Sequence, residues 1–198
     1  MLVHLRRSLV MATICMVLFG FVYAFAGTGV AQLLFRSQAN GSVGANGSLL
    51  IGQNWSSPNW FHGRPDDTGP YAADPAKGTS GGDNPLKANG VSGESGATNL
   101  GPRSAALLAD TKQLVAYWHK LGVNPTPDLV TTSASGYDPD ISPQDALVQV
   151  PMVARATGIA PTRLRTLISA QTHGPQFGFL GSSYINVLQL NEALARLR

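Results

Sequence analysis

The 198-residue sequence contains one cysteine, Cys15. It lies inside an apolar run, so the rest of the chain has neither a disulfide nor a thiolate metal site to draw on. The remainder must fold by burial alone, which a domain of about 150 residues can do because it hides near 70% of its unfolded surface. Charge is also scarce, at 13% Asp, Glu, Lys and Arg, about half the usual share. Of the 14 basic residues, Arg6, Arg7 and Arg36 flank the apolar run, leaving 11 against 11 acidic residues in positions 37–198. No basic stripe tracks phosphates, which excludes a nucleic-acid partner. The four histidines, His4, His62, His119 and His173, have no ligand-spaced neighbours, whereas zinc needs three or four converging ligands. Asp138-Pro139-Asp140 fits an Asx turn leading into a Ser142 helix cap better than a cation site. There is no Walker A loop and no G-x-G-x-x-G. Gly78-Thr79-Ser80-Gly81-Gly82 matches G-x-S-x-G by letters only, because a nucleophile elbow needs a strand before it and a helix after it. Ser80-Gly81-Gly82-Asp83 has part of an ATP-transporter signature but sits in the loosest segment. No catalytic or metal-ligating residue is assigned.

What the sequence does contain is an uncharged run of 28 residues, Ser8 to Phe35. A bilayer core of roughly 30 Å takes about 20 helical residues, so residues 9–35 are predicted to form a transmembrane helix, tilted or slightly overlong. The basic tail of residues 1–8, with His4, Arg6 and Arg7, predicts a cytoplasmic N-terminus and an extracytoplasmic remainder. A cleaved signal peptide is the competing reading, because Ala24-Phe25-Ala26 before Gly27 has a small-x-small shape. The apolar run continues to Phe35, past the point where a signal peptide stops, which favours an anchor. Gly20, Ala24 and Gly27 are candidates for close packing against a neighbouring membrane helix.

Residues 36–47 read as a polar tether, and 48–198 as one α+β domain. Within it, residues 73–98 form a long flexible loop: from Asp74 to Pro102, 18 of 29 residues are Gly, Pro, Ser, Asn or Asp, too few apolar groups to offset ordering entropy. Asn40, Asn46 and Asn54 fit the glycosylation pattern, although turn residues explain them more simply. Strands are expected at Ser48 to Gly52, Asp128 to Ser133, Phe177 to Leu180 and Tyr184 to Leu188. A helix capped by Ser104 runs to Gly122, with Leu107, Leu108, Leu114, Val115, Trp118 and Leu121 on one face and His119 on its polar side. Ser142-Pro143-Gln144-Asp145 opens another helix with a capping box and an N1 proline. Pro151 is expected to shorten, kink or split it. Further helices begin at Pro161 and near the end of the chain, the last burying Leu190, Leu194 and Leu197. His173 falls in a turn after the Pro161 helix.

One turn combines hot-spot residue types. Phe61-His62-Gly63-Arg64-Pro65, after Trp55 and Trp60, reads equally as a partner-docking turn and as a core Phe61 beside an Arg64 paired to a local carboxylate such as Asp66.

Gly47-Ser48-Leu49-Leu50-Ile51-Gly52-Gln53 and Trp60-Phe61-His62-Gly63-Arg64-Pro65 begin a series of family-like segments. Asn99-Leu100-Gly101-Pro102, Asp128-Leu129-Val130-Thr131, Ser133-Ala134-Ser135-Gly136, Asp138-Pro139 with Ile141-Ser142-Pro143, and Gln149-Val150-Pro151 follow. Gly178-Phe179-Leu180-Gly181 and Asn186-Val187-Leu188-Gln189-Leu190-Asn191 complete it. In this order the chain resembles the C-subunit family of the bacterial Kdp potassium-transporting P-type ATPase, apart from a longer loop between Ala72 and Thr98. The resemblance implies a non-catalytic accessory subunit that crosses the inner membrane once. It implies partners too: a channel-like potassium-binding subunit, a P-type ATPase subunit and a small single-helix subunit. It also implies a chaperone role that raises the affinity of the ATPase subunit for ATP, with ATP belonging to the complex and no cofactor assigned to this chain. Expected contact residues are Phe61, His62, Gly63, Arg64, Pro65, Ser135, Asp138 and Ser142. The alternatives are a membrane-tethered extracytoplasmic enzyme and a solute-binding module.

Overall fold

A computed structural model describes residues 2–53, 55, 57–65 and 98–198. The expected loop at 73–98, the Gly78–Gly82 and Ser80–Asp83 matches, Asn54 and Asp66 lie outside the described residues. The chain divides into two compact units, residues 1–43 and 44–198.

In the first unit, α1 (Leu2–Cys15), a π-helical segment (Met16–Val22) and α2 (Tyr23–Leu34) join into one 33-residue helix. At 1.5 Å per residue it is about 50 Å long, more than the roughly 30 Å of a bilayer core. It is long and apolar enough to cross a membrane. The helix starts before the apolar run, since Arg6 and Arg7 are good helix formers outside hydrocarbon. It stops at Phe35, whose φ of −132° and ψ of 42° leave the helical region. A four-residue turn, α3 (Arg36–Ala39), follows where a tether was expected. The amides of Gln32 and Asn40 pair across it at 3.1 and 3.3 Å, and Asn40 Nδ2 also donates to the Arg36 carbonyl at 2.6 Å.

The unit boundary falls within β1 (Val43–Gly44). The second unit is a mixed helix and strand domain, as expected for α+β. It contains β2 (Gly47–Ser48), α4 (Ala105–Lys120), a 3₁₀ turn (Asp128–Val130), β3 (Asp140–Ile141), α5 (Pro143–Thr157), α6 (Pro161–Gln171), β4 (Ile185–Asn186) and α7 (Val187–Ala195). Helices α5 and α6 pack together, and α6 packs on α7. Between them lies a core of Leu114, Trp118, Ala146, Val150, Val153, Leu164, Ile168, Leu190 and Leu194, joined by Phe61, Leu129, Ile141 and Ile185. Each large aliphatic side chain so buried contributes about 1.5–3 kcal/mol.

The helices follow their local signals. Ser104 Oγ caps α4 by accepting from Leu107 N at 3.4 Å. The buried stripe of α4 passes through Leu114 and Trp118, but Leu108 is 57% exposed and leaves the expected face. In α7, Leu190 and Leu194 are buried, whereas Leu197 lies just past the helix and is half-buried. Pro151 does not break α5, which runs unbroken through it. Pro151 and Leu147 are both exposed, so the Leu147 carbonyl that loses its amide partner faces solvent.

The strands are shorter than expected. β3 and β4 pair antiparallel, with Asp140 opposite Asn186 and Ile141 opposite Ile185. Asn186 then caps α7, accepting from Gln189 N at 3.3 Å, so Val187 and Leu188 begin a helix rather than extend a strand. Asp128 to Val130 winds into the 3₁₀ turn. After β2 the Ser48 hydroxyl accepts from Leu50 N at 3.0 Å and turns the chain, leaving Leu49, Leu50 and Ile51 exposed. Phe177 to Leu180 is a turn, because Phe177 (φ 53°), Gly178 (φ 81°) and Gly181 (φ 82°) adopt left-handed conformations that no strand accommodates.

Candidate functional site

The Phe61–His62 segment carries no assigned secondary structure, yet all four of its backbone polar groups are bonded. Asn191 of α7 accepts from Phe61 N at 2.9 Å and donates Nδ2 to the Phe61 carbonyl at 2.8 Å. Gln149 of α5 accepts from His62 N at 2.8 Å and donates Nε2 to the His62 carbonyl at 3.1 Å. A primary amide presents a donor and an acceptor side by side, so each side chain imitates one rung of a strand pair. Both amides are buried. Buried polar groups need such partners, since an orphaned one costs about 1–3 kcal/mol. Gln149 Nε2 also reaches the Asp145 carbonyl at 3.2 Å, tying the clamp to the first turn of α5.

The His62 ring sits 5.3 Å from the Trp118 ring, and Trp118 Nε1 donates to the Leu129 carbonyl at 3.0 Å. His62 Nε2 lies 3.0 Å from the Ser57 carbonyl. A carbonyl only accepts, so Nε2 carries the proton. Burial pushes the imidazole down to about 4, although the Ser57 carbonyl partly opposes this. The ring is neutral near pH 7. A neutral side chain buried against an indole ring has the character of a packing residue.

Arg64 points the other way. Nη1 meets Asp138 Oδ2 at 3.4 Å, and Nη2 donates to the carbonyls of Thr132 at 3.1 Å and Thr131 at 3.4 Å. It pins the loop after the 3₁₀ turn to the 61–65 segment. Asp138 Oδ1 accepts from Asp140 N at 3.1 Å. The Asp140 carboxyl accepts in turn from Asn186 Nδ2 at 3.0 Å, and burial is the main cause that raises its pKa. Ser135 is exposed; its hydroxyl accepts from Tyr137 N at 3.2 Å and lies 3.2 Å from the Ser133 hydroxyl. Ser142 closes the capping box with Asp145, at 2.8 and 3.2 Å, and Thr126 Oγ1 donates to the same carboxylate.

These placements divide the expected contact residues. Phe61, His62, Gly63 and Pro65 are buried inside the domain, as in the core reading of this turn: the flanking aromatics and the two amides draw the segment into the core. Arg64 and Asp138 form a half-buried pair, with Ser142 partly buried and Ser135 at the surface. Sequence reasoning missed Gln149 and Asn191. The only available signal was a polar residue on the apolar face of each amphipathic helix. Among the described residues, no three His, Cys, Asp or Glu side chains converge on a common point. His173 lies in a β-bridge with Tyr184, not a free turn, and its ring stacks on the tyrosine at 5.1 Å. His119 is exposed, 3.5 Å from Asn124 Oδ1.

In the first unit, a methyl built on Gly20 or Gly27 would meet nothing within 4 Å beyond the helix's own backbone and its chain neighbours. Gly20 falls in the π-helical segment, where the Tyr23 N–H reaches back five residues to the Leu18 carbonyl. The wider turn rotates Gly20 relative to Ala24, while Ala24 and Gly27 stay on one α-helical face of α2.

The sequence model of one family, KdpC (K+-transporting ATPase, c chain), matches residues 5–196. The chain belongs to the KdpC family. It is 45% identical to the potassium-transporting ATPase KdpC subunit of Methylorubrum populi, over 100% of this chain and 98% of that protein. It is 43% identical to the KdpC subunit of Methylobacterium nodulans, over 100% and 98%. With that of Caulobacter vibrioides the identity is 42%, over 98% and 93%. The family match takes in the apolar helix and the domain alike, including both amides of the clamp.

Proposed function

We propose that this chain is a non-catalytic accessory subunit of an ATP-driven potassium uptake pump, and that it holds the complex together from outside the cytoplasm. The observation that carries the reading is the family match over residues 5–196, which spans the membrane-length helix and the domain as one unit of descent. The basic residues Arg6 and Arg7 in the first turns of that helix support a cytoplasmic N-terminus. The partners are a channel-like potassium-binding subunit, a P-type ATPase subunit and a small single-helix subunit. Their membrane helices meet this one along Ala24 and Gly27, with Gly20 offset by the π segment. The surface around Arg64, Ser135, Asp138 and Ser142 supplies contacts on the domain, arranged by the buried Phe61–His62 segment beneath it.

In this reading the chain raises the affinity of the ATPase subunit for ATP without holding the nucleotide. The domain and the cytoplasmic nucleotide lie on opposite faces of the membrane, so the influence is a coupling free energy carried by the assembled helices. Such couplings are typically about 1–3 kcal/mol, or 5–150-fold in affinity.

Purification from the native membrane in mild detergent, after growth at limiting potassium, tests the reading. Mass spectrometry is expected to find the channel-like and P-type subunits in stoichiometric amount, and removal of this chain to raise the ATP KM of the remainder. Absence of both subunits from the preparation sinks the reading. An unchanged KM removes the affinity role alone.

A further inference from the structure

The even balance of charge in positions 37–198 conceals a local excess. Residues 146–198 hold five arginines and a single acid, Glu192, which already accepts from Asn46 Nδ2 at 2.8 Å. Among the described residues the one ion pair joins Arg64 to Asp138, so the arginines of α6 and of the chain after α7 have no carboxylate partner.

Two of these arginines share a surface groove. Arg163 and Arg198 line a cavity of about 480 Å³ beside Asn59 and Gly158. A second cavity, of about 350 Å³, adjoins it through Arg163 and Leu197 and continues along α6 past Thr166, Leu167 and Ala170. Among the described residues, no Asp or Glu lines either cavity.

The two ends of the groove differ in chemistry. At the first end Arg198 is held in place: its Nη2 donates to the Asn59 carbonyl, and its guanidinium lies 4.3 Å from the centroid of the Trp60 ring. A guanidinium carries five N–H donors, so most remain for a ligand. Arg163 forms no hydrogen bond or ion pair with the described residues. At the second end the polar groups are already satisfied. Thr166 Oγ1 donates to the Thr162 carbonyl at 3.1 Å, which leaves its methyl beside Leu167, Ala170 and Leu197.

We propose that this groove binds an anionic phospholipid, with the phosphate at Arg163 and Arg198 and an acyl chain along Leu167, Ala170 and Leu197. Guanidinium matches phosphate well because it can meet two oxygens at once. Phosphate is chemistry shared by a free ion and a headgroup, and the apolar end selects the headgroup, since a free ion has nothing to place there. An acidic peptide would need partners for its own backbone. The wall of α6 offers none, because a helix interior bonds its N–H and C=O groups internally. The membrane-length helix ends at Leu34 and the second unit begins at residue 44, a span short enough to keep phospholipid at hand.

Tryptophan fluorescence of the full chain in neutral detergent reads this site, because Arg198 stacks on Trp60. Phosphatidylglycerol is expected to give a saturable change, and phosphatidylcholine or inorganic phosphate at the same concentration none. Arg163→Gln should weaken the response at least tenfold at an unchanged urea midpoint. Thr166→Asp, which sets a carboxylate in the apolar end, should weaken it as much. Arg6→Gln with Arg7→Gln should leave it as it was, separating the groove from the membrane helix. An equal response to inorganic phosphate reduces the groove to a small-anion site and overturns the proposal. An equal response to phosphatidylcholine, or a full response in both groove variants, overturns it too. In intact membranes, p-benzoylphenylalanine in place of Ala170 is expected to crosslink to phospholipid, and crosslinks to protein alone overturn the lipid assignment.

Discussion

His62 is placed so that acid turns it from a packing residue into a destabilising one. Its folded pKa of about 4 lies below the ordinary 6.5. Between those values the unfolded chain binds the proton and the folded chain does not, so stability falls as pH falls through that window. Above pH 6.5 both states are neutral and the group has no effect. The full excursion is worth roughly 3 kcal/mol, at about 1.36 kcal/mol for each pH unit between the two values. Trp55, Trp60 and Trp118 all lie in the second unit, so tryptophan fluorescence of the full chain in detergent follows that unit alone. Urea unfolding at pH 7 and pH 4.5 should show a larger loss for the natural chain than for His62→Gln. Equal losses would place the titrating group elsewhere. Little of this role was legible from residues alone. Phe61-His62-Gly63-Arg64 has the composition of an interface turn, and its burial depends on Gln149 and Asn191, 87 and 130 residues away.

At the level of elements, the helices were legible and the strands only in part, for one physical reason. Helix ends are written locally: Ser104 and Ser142 as caps, Pro143 and Pro161 at first turns, Gly158 in the left-handed conformation after α5. The β-bonding here is shared between two-residue strands and side-chain amides, which leaves no alternating pattern long enough to read. Apolar runs such as Leu49 to Ile51 and Phe177 to Leu180 therefore suggested strands where the chain turns. Two α5 variants should move stability in opposite directions. Ser142→Ala removes the cap above the buried Asp145 and should cost about 1–2 kcal/mol. Pro151→Ala restores an amide to the exposed Leu147 carbonyl and should gain about 1–2 kcal/mol, less than the ~3 kcal/mol helix penalty of proline because the unfolded chain also gains freedom. Chemical denaturation followed by fluorescence reads both. A Pro151→Ala variant no more stable than the natural chain would mean that the proline is already accommodated without penalty.

For the molecule as a whole, the single cysteine is an experimental convenience. Cys15 is the only thiol and lies in the membrane-length helix. Replacing it with Ala and placing a cysteine at Ser169, exposed on α6, gives one reporter for sidedness. A membrane-impermeant maleimide should label Ser169→Cys in intact cells, once the outer envelope is opened, as fully as after lysis. Labelling only after lysis would reverse the orientation drawn from Arg6 and Arg7. The membrane helix was the plainest feature of the sequence because the absence of charge over 28 residues needs no tertiary context to interpret. What it packs against depends on the partners and the π turn at Gly20.

The amide clamp also sets a clock. Phe61 cannot complete its backbone bonds until Asn191 exists, 130 residues later. At about 5–20 residues per second the interval is roughly ten seconds. Throughout it, an apolar segment rich in tryptophan and phenylalanine waits beside the growing chain without the partner that will hide it. A nascent chain of this kind depends on whatever shields it during synthesis, and premature termination before α7 leaves Phe61 with nothing to close on.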